Sequence, residues 1–423
     1  MFGRALIPLI LKDGDKEIQV KEVDELKRLF NTENLPRLLS ALDSGKLEQF
    51  FFAKRLDHIK EKIAQMRQNG EDAIEILNYV AEQIGAGKFS LSFERASKRS
   101  LAENFTEEDQ ELYLILSSYS LTESSIKGNK KLIGALEEPN TARIEVNTGK
   151  LTGKNLSLKN VVLEFKGDFE FEAFESLSFQ NVKFESRGRI VFANLKVKLK
   201  NCHFNTLVEF NNCEIDMQES TFSMSEIGGL SVLNSKGKFM RCKVFYSEVG
   251  EKSNDRLFYI RDSELNIEGT EVFRDNRAST TNGVVIENSS VSLKECRVYG
   301  LMHGIMALDS RLYISQSEIF ENSTNLVIGS PEFEVKDSVI YKNGEEKLMQ
   351  FCIINSKALI EGSKIHDSKG GIGIYLLSSK ASIKDCEVFE NLQGGIISIN
   401  SSEANEIEPE VEIENCNIHN NHR

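Results

Sequence analysis

His303, Asp309, Arg274, Asp275 and Arg297 are the side chains of this sequence best suited to chemistry. Carboxylates brought together could hold Ca²⁺, or work as acid and base on a glycosidic bond. A histidine or arginine beside them could carry the proton. Asp262, Glu287 and Asp309 close successive strand-like segments, although their slots shift from one segment to the next. With 65 Asp and Glu in the chain, chance groupings are expected, and these five residues stand as candidates only. No Cys-x-x-Cys pair, zinc-ligand spacing, Gly-rich phosphate loop or nucleophile elbow accompanies them. No metal site and no cofactor is therefore expected. His203, His366 and His419 recur in repeat slots and read as structural, and His58 reads as a surface residue.

The elements that must position these residues come from a repeat. Val291-Ser292-Leu293-Lys294-Glu295-Cys296-Arg297-Val298 has apolar residues in slots one, three and eight and a small residue in slot six. The pattern starts again at Leu156, Leu177, Val197, Ile215, Gly237, Leu265, Leu312, Phe333, Ala358, Ala381 and Val411. A period near 22 residues with variable insertions is a solenoid signature. Slots one to four alternate apolar and polar residues, which is strand periodicity. A second strand precedes the first in each unit, as in Gly283 to Ser289 and Gly304 to Ser310. Each unit is too short for strand-helix-strand, so two or three short strands per coil of a parallel β-helix are expected. Slot six should face inward, which gives Cys202, Cys242, Cys296, Cys386 and Cys416 a packing role as free thiols. An aromatic or His follows slot eight, from Phe245 and Phe273 to Phe389 and His419. Beyond it often comes Asn: Asn276, Asn322, Asn343, Asn391 and Asn421. Both series read as ladders up the coils; the functional alternative for the aromatics is a platform for sugar rings.

Residues 141 to 423 resemble the right-handed parallel β-helix proteins of the pectate-lyase-like superfamily, with carbohydrate-binding and sugar-hydrolase-type repeats. The runs Ser317-Glu318-Ile319-Phe320-Glu321-Asn322 and Cys386-Glu387-Val388-Phe389-Glu390-Asn391 carry the resemblance. It implies a mainly β fold, a solenoid of about 12 coils, and functions from polysaccharide lyase and hydrolase to adhesin. Ca²⁺ would enter only under a lyase reading. Of the hydrolases' Gly-His-Gly pattern only His303-Gly304 remains, and their Asn-Thr-Asp pattern is missing.

The formal net charge of −13 argues against nucleic acid and anionic membranes. No window approaches a transmembrane span, and Ala5 to Leu11 is short for a signal peptide. Seven cysteines without a pairing pattern suit a reducing compartment, so a cytoplasmic protein is expected.

Residues 1 to 87 read as a hairpin followed by amphipathic helices. The stretch Leu38 to Phe51 loosely resembles a small helical module at the front of some bacterial multidomain proteins, which implies docking or regulation. The Phe50-Phe51-Phe52 run reads as bundle core. Residues 88 to 140 are expected to form a linker and cap, with a helix start at Thr106 to Asp109 and a short helix over Lys130 to Glu138. The insertions Ser247 to Asp255 and Asp275 to Asn282 are candidate binding loops. The Val411 to Ile418 repeat has no amphipathic cap after it, which suggests self-association through that coil. The sequence thus favours a non-enzymatic binding or scaffold protein with a protein partner. The alternative is a carbohydrate-active β-helix enzyme, lyase or glycoside hydrolase, with a polysaccharide partner.

Overall fold

A computed structural model describes residues 8–13, 16–31, 34–69, 71, 73–89, 94–96, 98–114, 116–134, 141–224, 229–246, 256–274, 281–342, 349–369, 371–400 and 410–421. The chain forms two compact units. One comprises residues 1–148, 155–164 and 180–183; the other comprises residues 149–154, 165–179 and 184–423.

The first unit opens with an antiparallel hairpin, Leu9–Asp13 and Lys16–Val20, that pairs Leu9 with Val20 and Leu11 with Ile18. Five helices follow: α1 (Val23–Arg28), α2 (Leu35–Asp43), α3 (Lys46–Ala53), α4 (Asp57–Gln68) and α5 (Ala73–Ile84). Their apolar stripes close one core around Leu38, Leu47, Ile63 and Leu77, joined by Phe89, Tyr113 and Ile133. Phe50 and Phe51 lie in that core, whereas Phe52 is exposed beneath the Lys60 ammonium, 4.6 Å from its ring centre.

Two expectations for 88–140 fail. Asp109–Leu114 pairs in parallel with Asn129–Gly134 of the strand Ser125–Gly134, so Thr106 to Asp109 starts no helix and Lys130 to Gly134 is extended. The reason is Lys130. It occupies an inward slot between Ile126 and Leu132, is 3% exposed, and satisfies its ammonium on the Glu107 and Glu108 carbonyls. A lysine in an inward slot hides the period of two that marks a strand. Residues 135 to 140 lie outside the described residues.

The second unit is a parallel β-helix in which each strand pairs with its counterpart one coil on. Three sheets result. Sheet A holds strands such as Asn282–Glu287, His303–Leu308 and Thr324–Gly329. Sheet B holds the repeat strands, among them Ser290–Lys294 and Arg311–Ser315. Sheet C holds short strands such as Arg297–Tyr299 and Glu318–Phe320. The register matches the repeat: Val291 pairs with Leu312, Leu293 with Ile314 and Val298 with Ile319, and all six are buried.

Coils turn through single left-handed residues. Between sheets A and B these include Asn194, Asn212, Asn234, Asp262, Asn288, Asp309, Asn355 and Ser378, with φ of 46° to 57°. Asn and Asp tolerate that conformation better than other residues with a Cβ. Small residues then plug each corner. The Cys296 N–H donates to Ser317 Oγ (3.0 Å), and the Cys296 thiol donates to the Lys294 carbonyl (3.3 Å). Ser317 repeats both bonds one coil on, so thiol and hydroxyl do the same job. The A-to-B corner has its own series, in which Cys213, Ser235, Ser263 and Ser289 each donate an N–H to the next coil's hydroxyl.

Candidate functional surface

The predicted site residues are distributed over three places. Arg274 and His303 flank the corner from sheet C to sheet A on successive coils. His303 Nδ1 lies 2.7 Å from Asn282 Oδ1. An amide oxygen only accepts, so Nδ1 carries the proton and Nε2 keeps its lone pair. Burial holds the His303 pKa below the ordinary imidazole value, which leaves the ring neutral at neutral pH. Arg274 is buried at 9% exposure, and its Nη1 donates to Thr281 Oγ1 (3.0 Å).

Asp309 is elsewhere. His303 opens its sheet A strand and Asp309 follows the end of the same strand, about 20 Å away at 3.3 Å per residue. Its exposed carboxylate sits in the left-handed corner row with Asp262 and Asn288, where the backbone favours Asn or Asp. Arg297 is on sheet C between Glu271 (3.5 Å) and Glu318 (3.1 Å), as the middle rung of an ion-pair ladder. Asp275, the loop Ser247 to Asp255 and most of the loop Asp275 to Asn282 lie outside the described residues.

His303-Gly304 also has a structural origin. A Cβ on Gly304 would come within 2.7 Å of the Asn325 carbonyl and 2.8 Å of Asn322 Nδ2. Gly373 stands in the same relation to Asn391, and Gly395 to Asn421, each with Nδ2 at 2.8 Å. These asparagines form the amide ladder expected from the sequence. Asn322 accepts from the Leu301 N–H (3.0 Å) and donates to the Val298 carbonyl (3.1 Å). Asn276 and Asn343 lie outside the described residues; Gln350, buried, bonds Asn325 and donates to the His366 carbonyl.

Eight rings stack on the outer face of sheet C: Phe245, Phe273, Tyr299, Phe320, Tyr341, His366, Phe389 and His419. Their centres are 4.7 to 5.3 Å apart and their planes within 13° of parallel. Each inner ring covers its neighbours' faces, so only edges point outward. A sugar stacks on a ring face, and the ladder is therefore structural along its length.

Five of the seven cysteines are buried, and Cys352 and Cys416 are half-buried. Burial pushes the Cys242 and Cys296 thiols up to about 11. All seven are free. Among the described residues no cluster of three His, Cys, Asp or Glu could hold a metal, and no helix is long and apolar enough to cross a membrane.

Residues 282–423 match a family model described as right handed beta helix region. This part of the chain is a right-handed β-helix. No curated protein matches the sequence. Among solved structures, the A-module of the mannuronan C-5 epimerase of Azotobacter vinelandii is 9% identical, with a TM-score of 0.33 over 74% of this chain and 91% of that one. The periplasmic alginate epimerase AlgG, in a substituted form, is 10% identical with a TM-score of 0.34, over 73% and 77%. A tailspike of E. coli bacteriophage HK620 in complex with a pentasaccharide is 9% identical with a TM-score of 0.22, over 81% and 75%.

The outer faces of the right-handed β-helix differ in chemistry. On sheet B, outward residues are zipped from coil to coil: Lys196 to Glu214 (2.9 Å), Lys236 to Glu264 (3.3 Å), Arg311 to Glu332 (3.3 Å), Lys336 to Glu361 (3.4 Å). Shallow grooves of about 530 to 760 Å³ run along this sheet and its corner, lined by these charges. Sheet A is different. Its two outward rows are Met306, Val327, Cys352, Tyr375, Ile397 and Leu308, Gly329, Ile354, Leu377, Ile399. No charge occurs in either row over five coils. Leu308 and Ile399 are 41% and 44% exposed, and the other eight are half-buried. Strict alternation does not mark this face, although its signal is present in the sequence. Ile305 to Leu308 and Phe351 to Ile354 are unbroken apolar runs, the mark of a strand apolar on both sides.

Proposed function

We propose that this protein binds another protein through the outward face of sheet A and catalyses no reaction. The carrying observation is the pair of uncharged rows from Met306 to Ile397 and from Leu308 to Ile399. Five strands spaced by about 4.8 Å and two residues wide make a patch of roughly 300 Å². That is too small for a whole standard interface of about 800 Å² per partner, but suits its dry centre within a polar rim. The occupant is a protein surface with an apolar strip of its own. A hydroxyl-rich or carboxylated polysaccharide would meet the Tyr375 hydroxyl and little else that is polar on these rows. The stacked coils hold the face rigid, so association would cost little ordering of this partner. The dispersal of His303, Asp309 and Arg297 over separate places supports the non-catalytic half of the reading.

The test compares three forms in capture from native lysate: the unaltered chain, Val327→Lys/Ile354→Glu/Leu377→Lys on sheet A, and Lys236→Glu/Arg311→Glu on sheet B. Urea midpoints first establish that the outward substitutions leave the fold intact. A specific protein retained by the first and third forms, and weakened at least tenfold with the second, is the expected result. Equal retention by all three would overturn the assignment of the face. Turnover of alginate or pectate, with or without Ca²⁺, would overturn the non-catalytic reading.

A further inference from the structure

Two cysteines share one inward slot on adjacent coils. The corner from sheet B to sheet C is plugged on successive coils by Cys242, Thr270, Cys296, Ser317, Ser338, Ser363, Cys386 and Cys416. The other cysteines have different neighbours. Cys202 precedes Ser220, Cys213 precedes Ser235, and Cys352 pairs with Val327 and Tyr375 on sheet A. Of all seven cysteines, Cys386 and Cys416 alone stand next to each other in a row.

Their placement is fixed by the strands on both sides. Lys384 pairs with Glu414 and Glu387 with Asn417, and the Asn417 N–H donates to the Cys386 carbonyl (2.9 Å). The two cysteines are therefore one strand spacing apart, about 4.8 Å. That lies within the roughly 4.4–6.8 Å between Cα atoms that a disulfide spans. Each thiol donates to the carbonyl two residues before it, Cys386 to Lys384 (3.1 Å) and Cys416 to Glu414 (3.2 Å). The Cys416 thiol also reaches the Ile383 carbonyl (3.3 Å), on the coil of Cys386. Burial pushes the Cys386 thiol up to about 11, and the adjacent Cys416 thiol adds to the rise through charge and a hydrogen bond. Ser317, Ser338 and Ser363 show that a hydroxyl meets every packing need of this slot. Two sulfurs in succession supply something that serine lacks.

We infer that Cys386 and Cys416 are a redox pair that closes to a disulfide when a peroxide is present and ties the two coils together. One thiol gives up its proton, and its sulfur attacks a peroxide oxygen. The O–O bond breaks, water leaves, and that sulfur becomes a sulfenic acid. The second sulfur then attacks the sulfenic sulfur. The S–O bond breaks, and the hydroxyl leaves as a second water with the remaining thiol proton. Two thiols lose two electrons, and one peroxide is reduced to two waters. One side chain must turn off its carbonyl at χ1, which costs little because a thiol is a weak donor. A small thiol such as glutathione reverses the bond by exchange. The bridge encloses one coil, with its strand Ile396–Ile399, in a covalent ring.

The full chain, fully reduced, is treated with hydrogen peroxide in native buffer, blocked with N-ethylmaleimide and mapped by peptide mass spectrometry. The expected product is a linked Cys386–Cys416 peptide, with the other cysteines alkylated. Amide exchange over residues 410–419 should slow at least about tenfold on oxidation, because the cross-link restricts the opened coil, and should recover with dithiothreitol. Cys386→Ser and Cys416→Ser install the residue found at Ser317 and Ser338, so both should fold as the parent does and show neither change. If peroxide leaves every thiol intact, refolding in mixed reduced and oxidised glutathione offers both sulfurs before the coils stack, and the bridge should form there. Its absence under both conditions, or bridges spread at random over the seven cysteines, would overturn the inference. So would slowed exchange that persists in either serine variant.

Discussion

Gly304 shows how a residue that suggests chemistry is fixed by packing. Its missing Cβ leaves room for the Asn322 amide and the Asn325 carbonyl, both too close for any side chain. Gly304→Ala should lower stability by about 1–3 kcal/mol, the usual range for forcing an extra methyl into a packed site. Urea unfolding checks it; an unchanged midpoint would mean the corner relaxes freely. His303 makes a pH-dependent prediction. In the unfolded chain its pKa is the ordinary 6.5, whereas burial lowers it in the fold. Below about 6.5 the unfolded chain therefore binds more protons, so stability is full above that pH and falls as the pH drops toward the folded value. His303→Gln, which retains an amide donor for Asn282, should show a shallower loss between pH 7.5 and pH 5.5. A variant that loses as much as the parent over that interval would remove His303 from the account.

At the scale of elements, the coil depends on its amide ladder. Asn322 is fully buried and ties the Leu301 N–H to the Val298 carbonyl across the turn from sheet C to sheet A. Asn322→Ala would strand both groups. Each unsatisfied buried backbone group costs about 1–3 kcal/mol, so a loss of about 2–6 kcal/mol is expected in urea or thermal unfolding. A loss below about 1 kcal/mol would show that water or a neighbour replaces the amide. This ladder was readable because Asn follows the aromatic slot at a steady offset. The same holds for the inward cysteines, which share one slot with serine and threonine. Other elements were not readable, each for a physical reason. Lys130 sits inward because two carbonyls solvate its ammonium, which no hydropathy pattern reveals. Gln350 joins the amide network from the far side of an insertion, where the offset is lost. The apolar face of sheet A was legible in composition but not in alternation, because both sides of those strands are apolar. Asp309 attracted a catalytic reading because a left-handed corner and an active site both favour aspartate.

At the scale of the whole β-helix, stability is a sum of coils and of the interfaces between them. An inner coil has two interfaces and the last has one. The coil built from Ile396–Ile399, Glu410–Glu414 and Asn417–His419 exposes the inward Ile413 and Ile418, whereas Val291, Leu293 and Val298 of an inner coil are at most 2% exposed. Opening the last coil breaks a single set of strand pairs and uncovers little additional apolar surface. Opening an inner coil breaks two sets and uncovers a packed layer. Amide exchange should therefore run as a gradient, fastest over residues 410–419, slower over 380–389 and slowest over 290–320. The same gradient should appear whether or not sheet A has a partner, since that face lies across the strands and not at their edge. Uniform protection from 290 to 419 would mean that the β-helix opens as one cooperative body, and that its open edge costs it nothing.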